Sequence, residues 1–164
     1  MLYERTHNKG KYAQSSKSLL SQQGREMKRN ISTLNGKITF INDEPQNPSP
    51  NLPVSETLAA LIEGAVTQAN LSININSTTG GDHSTKSFHY YGMAIDVNRI
   101  NNKKINDPSN MHNVKSFQEI ISKQPDVAEY FGPFINIRKK GIKTIQMHHV
   151  KIEHLNHLHI SSQS

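Results

Sequence analysis

Apolar and polar positions recur along this chain with two different periods, and each change of period marks an element. Ser55 and Glu56 precede Leu58, Leu61, Ile62, Ala65, Val66 and Ala69, the i, i+3, i+4, i+7 spacing of an amphipathic helix with a serine N-cap. Leu71 to Ser77 alternates apolar with polar, which predicts a strand with one buried face. Met93 to Val97 predicts a second strand ending in Asn98-Arg99, residues 101–111 a polar loop, and Asn113 to Lys123 a second helix, broken near Pro125. A further helical turn is expected up to Tyr130, stopped by Gly132-Pro133. Phe134 to Arg138, Thr144 to Ile152 and Leu155 to Ser161 are the remaining strand candidates, with a turn at Lys139 to Gly141. Helices flanking a small, mainly antiparallel sheet make an α+β fold.

The pattern weakens toward the N-terminus. Residues 1–30 are polar, Ser/Gln/Lys-rich and weakly periodic, as in an arm or a peripheral wrap. Ile31 to Ile41 predicts a turn at Asn35-Gly36 and a short strand. Four prolines between residues 45 and 53 forbid a continuing helix or central strand, so the expected division is an arm and linker over 1–53 and one domain over 54–164.

Composition narrows the chemistry. The 164 residues, 34% of them hydrophobic, suffice for a single core, and the absence of cysteine removes disulfides, thiolate metal sites and cysteine nucleophiles. Any metal must be held by His, Asp or Glu. The net charge of +6 invites a nucleic-acid reading, but residues 1–40 hold eight Lys or Arg against two acids, whereas residues 41–164 hold eleven of each. The excess belongs to the N-terminal segment, so no nucleic-acid partner is expected of the domain; an anionic wall polymer is one use for such an arm. Neither a secretory leader nor a membrane span is expected.

The chemistry-bearing residues fall in two clusters. Ser87 to Asp96 supplies an imidazole at His89 and a carboxylate at Asp96, and five of the nine histidines lie between 148 and 159. In a strand, His157 and His159 project to one side while Leu158 and Ile160 project to the other. If the strand holding Asp96 is its neighbour, both imidazoles and the carboxylate converge, and the turn at Gly92 can bring His89 to the same point. Nitrogen with carboxylate is a zinc ligand set, and three protein ligands leave a fourth position for water.

Ser87-x-His89-x-x-Gly92-x-Ala94-x-Asp96 resembles the metal-binding motif of the D-Ala-D-Ala metallopeptidases and related phage peptidoglycan endopeptidases, and His157-x-His159 resembles the His-x-His of the wider group that includes lysostaphin-type enzymes and the hedgehog signalling domain. The resemblance spans roughly residues 54–161. It implies that His89, Asp96 and His159 bind Zn2+, that Ser87 supports the ligand loop and that His157 is either the catalytic histidine or one that supports the ligands from behind. The Glu-x-x-His glutamate common in that group is absent. Glu153 is the nearest carboxylate, six residues from His159, which in a regular strand is roughly 20 Å away. An arginine that many members place before the motif is also absent, with Lys86, His83 or Arg99 as substitutes.

The expected function is zinc-dependent hydrolysis of a peptide bond in peptidoglycan, by a carboxypeptidase or endopeptidase resembling a phage lysin or a delivered toxin, acting in the periplasm or at the cell wall. One alternative is a non-catalytic, zinc-stabilised wall-binding or protein-binding module. Another is a metal-dependent nuclease built on His148, His149 and residues 156–159.

Overall fold

A serine hydroxyl starts the first helix, as the spacing predicts. Ser55 Oγ accepts from the Leu58 amide at 3.2 Å, and the helix, α1, runs Glu56–Ala69 until Asn70 closes it in the left-handed conformation. The computed structural model describes residues 28–42, 50–79, 86–151 and 154–164. The expected polar arm before residue 28 and most of the proline-rich stretch lie outside the described residues.

The strands are β1 (Lys28–Arg29), β2 (Ile38–Thr39), β3 (Val54–Ser55), β4 (Ile73–Ser77), β5 (Ala94–Ile100), β6 (Lys103–Lys104), β7 (Val127–Phe131), β8 (Asn136–Lys140), β9 (Lys143–Gln146) and β10 (Leu158–Ser162). The second helix, α2, is Met111–Ser122. The main sheet has the order β2-β4-β5-β10-β7-β8-β9, with β6 folded back on β5. Every pair in it is antiparallel except β2 with β4. This is the expected α+β architecture, with a mainly antiparallel sheet that includes one parallel pair. Among the described residues no helix is long and apolar enough to cross a membrane.

The core forms where α1 and α2 cover one sheet face. Leu58, Ile62, Ala65 and Val66 of α1 and Val114, Phe117 and Ile121 of α2 join Ile95, Val97, Leu158, Ile160 and Tyr130 in one buried cluster. Ile31 and Ile38 belong to it too, β1 pairs with β3, and Arg29 forms a two-pronged ion pair with Glu63 of α1. Residues 28–42, expected within the arm and linker, therefore pack with the domain.

Three local expectations change. The stretch expected as a helical turn before Gly132 is the strand β7, whose residues are all buried. The strand expected over 144–152 ends at Gln146, and His148–Val150 forms a 3-10 turn. The expected polar loop after Asn98-Arg99 begins instead with a tight hairpin, in which Asn101 and Asn102 take φ of 49° and 67°. Asparagine tolerates that left-handed geometry better than most residues. The stop at Gly132 falls where expected: a Cβ there would stand 2.5 Å from Gln118 Nε2 and 2.6 Å from Leu158 Cδ2, so the ends of both side chains would have to shift to admit one.

Candidate metal centre

The sheet face opposite the helices carries the polar site, and strand register assembles it. In the β5–β10 pair His159 stands directly opposite Asp96, and in the β10–β7 pair it stands opposite Phe131. One step along, Ser161 stands opposite Ala94 and Glu129. Sixty-three residues apart in sequence, Asp96 and His159 are neighbours because β10 inserts between β5 and β7.

His89 arrives from a different element, the 3-10 turn Phe88–Tyr91. Ser87 caps this turn, its Oγ accepting from the His89 amide at 3.2 Å, and Gly92 ends it with φ of 72°. The resemblance assigns Ser87 a supporting role, and this capping bond is a physical means for it. Gly92 then reverses the chain so that β5 starts two residues later, with Asp96 beneath His89. Tyr90, adjacent in sequence, is fully buried and packs edge-on against Tyr91.

The three groups meet. His89 Nε2 lies 3.2 Å and His159 Nδ1 lies 3.3 Å from Asp96 Oδ1, and ligand atoms of the three residues all fall within 4.8 Å of one another. Ligands about 2.0–2.2 Å from a tetrahedral zinc stand about 3.4 Å apart, so the two imidazole–carboxylate separations fit a first-row metal.

Hydrogen bonds on the outer nitrogens decide what the inner ones present. His89 Nδ1 is 2.7 Å from the Thr78 carbonyl, and a carbonyl only accepts, so the proton sits on Nδ1. Thr78 is itself held by donating its hydroxyl to the Pro50 carbonyl at 2.7 Å. His159 Nε2 is 3.2 Å from Glu129 Oε1, a carboxylate, so this nitrogen also donates. In their neutral forms both imidazoles turn a lone pair toward the lone pairs of Asp96. That arrangement is repulsive unless a positive charge, a proton or a metal ion, occupies its centre.

The electrostatics agree. Burial pushes the Asp96 carboxyl up, but the charges and hydrogen bonds of His89 and His159 outweigh it and hold Asp96 well below the usual carboxylate range. Burial pushes His159 down, yet its bonds to Asp96 and Glu129 raise it to about 9. A metal ion must therefore displace a proton from His159, replacing one positive charge by a larger one.

His157 sits beside this group, half-buried, with Nδ1 2.8 Å from Asn156 Oδ1. Burial lowers its pKa, the field of Asp96 raises it, and the neighbouring histidines lower it further, for a net shift below 6.5. His157 is thus neutral at pH 7. Among the described residues the metal-capable group comprises His89, Asp96 and His159, while His148 and His149 are exposed and stand outside it. Glu153 and His83 lie outside the described residues, and Lys86 is exposed beside Ser87.

Two residues at the centre escape the sequence reading. Glu129, buried on β7, bonds His159 and accepts from Arg138. The His154 ring lies tilted against those of His157 and Phe131, centroids 4.8 Å and 5.1 Å away, its Nδ1 donating to the Val150 carbonyl at 2.7 Å. The clustering of late histidines is a signal for His154; Glu129 has none, because its segment lacks the alternation of a one-sided strand. No protein-family model matches the chain, and no curated protein gives a significant match.

Proposed function

We propose that this protein is a zinc-dependent hydrolase that cleaves a peptide bond in peptidoglycan. The observation that supports it most is the inward turn of two imidazole lone pairs onto Asp96, each fixed by an acceptor behind the ring. The motif from Ser87 to Asp96 and the His157-x-His159 pair supply the substrate class through their resemblance to cell-wall peptidases. Zinc in such a site supplies a Lewis acid for the scissile carbonyl and a nucleophile from water at neutral pH.

The protein's own groups divide the remaining work. His89, Asp96 and His159 hold the ion, with a total ligand charge of minus one when both imidazoles are neutral. His157 keeps its Nδ1 proton on Asn156 and offers Nε2 as an acceptor, so it takes a proton from the attacking water and returns it to the leaving amine. Its depressed pKa keeps the accepting form populated at pH 7. His154 has the same polarity, Nδ1 donating outward, and flanks His157 as the next group in a proton path.

Zinc-loaded protein incubated with purified peptidoglycan is expected to release new amino and carboxyl termini, quantified by end-group labelling. His157→Ala is expected to lower that rate by about 10²–10⁴-fold while retaining zinc. Wall retention without new termini would instead make the protein a zinc-stabilised binding module. Plasmid nicking lost with His149→Ala but kept with Asp96→Ala would make it a nuclease.

A further inference from the structure

We propose that Glu129 is the positioning residue of His159: it selects the imidazole nitrogen that faces the metal, and Arg138 holds it in place for that purpose. The inference rests on the zinc reading of the site above. His159 is stacked on Phe131, ring centroids 5.3 Å apart and planes 16° from parallel. Stacking fixes the plane of a ring but not which edge points where. A half-turn about the Cβ–Cγ bond would keep the stack and replace Nδ1 by a carbon at the metal position.

The contact that distinguishes the two orientations is the one from Nε2 to Glu129 Oε1, at 3.2 Å. It sets orientation and tautomer together: Nε2 carries the proton and Nδ1 keeps its lone pair. Glu129 is only 6% exposed, and a buried carboxylate needs donors on both oxygens. Oε2 takes two from Arg138, Nε at 2.9 Å and Nη2 at 2.6 Å. The register makes this set possible, since Glu129 pairs with Arg138 across β7–β8 and sits diagonal to His159 across β10–β7.

The same geometry separates Glu129 from a catalytic carboxylate. Each of its oxygens is engaged, and the His159 ring stands between it and the metal position. It therefore acts through the ligand, raising the basicity of the imidazole and lowering the freedom of the ring.

The experiment measures zinc affinity by competition with a chromogenic chelator, on wild type, Glu129→Ala, Glu129→Gln and Arg138→Gln, each checked for folding by circular dichroism. Zinc affinity is expected to fall about 10–100-fold for Glu129→Ala. It should fall less for Glu129→Gln, whose amide oxygen still accepts from Nε2, and least for Arg138→Gln. A 15N-imidazole spectrum of the zinc-loaded wild type is expected to show a slowly exchanging Nε2 proton on His159 that Glu129→Ala loses. If Glu129→Ala fails to fold because Arg138 is left unpaired, Glu129→Gln with the same spectrum decides. Wild-type affinity in every Glu129 variant, or metal bound through Nε2 of His159, would overturn the proposal while leaving the zinc site intact. Absence of zinc binding by the wild type would overturn the reading beneath it as well.

Discussion

The two faces of the β5–β10 pair are built from interleaved residues yet obey different rules. On the helix-covered face Ile95, Val97, Leu158 and Ile160 are fully buried against α1 and α2. On the opposite face Ala94, Asp96, His159 and Ser161 alternate with them, two small residues beside two members of the candidate metal group. What matters on the first face is volume and shape; on the second it is charge, lone-pair direction and room for a ring. One backbone register serves both, so a slip of a single residue would put carboxylate and imidazole into the core.

The difference can be broken deliberately. The largest effect is expected from Asp96→Ala, which removes the only carboxylate of the ligand group and should lower zinc affinity by more than about 100-fold, beyond the range of outer-shell partners. Chelator competition checks it, and near-normal affinity would show that metal binds elsewhere. On the covered face, Ile160→Ala should destabilise the fold by about 2–5 kcal/mol in urea unfolding, with the zinc affinity of the folded fraction unchanged.

Acidity separates the faces again. The His159 imidazolium, raised to about 9 in the folded protein, stabilises the metal-free fold fully below about pH 6.5, and that contribution is lost as pH rises through about 9. Metal-free protein is expected to lose about 3 kcal/mol between pH 6.5 and 10, whereas zinc-loaded protein, whose His159 is already neutral, should not. Equal losses in both forms would contradict the tautomer assignment. The smallest effect belongs to Ser87→Ala, expected to cost about 0.5–2 kcal/mol by uncapping the turn that carries His89. A zinc affinity reduced in step, measured beside the unfolding midpoint, would tie the cap to the ligand.

How much of this is visible in the sequence depends on which face a residue serves. Helix α1 is legible because one of its faces is apolar at helical spacing and Ser55 marks its start. Asp96 and His159 are legible because each interrupts an apolar alternation that places the next residue in the core. β7 is not legible. Val127 to Phe131 is buried throughout, so period-two alternation vanishes, and the preceding proline and aspartate favour a turn. With the strand goes Glu129, whose burial depends on Arg138 from β8 and His159 from β10, partners that no local pattern announces. The end of β9 is hidden for a similar reason: His148 and His149 fit a strand or a 3-10 turn equally by composition.

The placement of β10 between β5 and β7 has a consequence for the order of events in folding. A ribosome releases β5 and β7 well before β10, and until β10 docks both face solvent with unpaired backbone groups on the edges that it later joins. His159 reaches Asp96 only in that closing step, so two of the three ligand residues wait for the third across a span of sixty-three residues. The candidate metal group is therefore assembled only by sheet closure, and a chain interrupted before Leu158 would lack His159 and leave two strand edges unpaired. Zinc uptake by the nascent protein would then report that its central strand has been inserted.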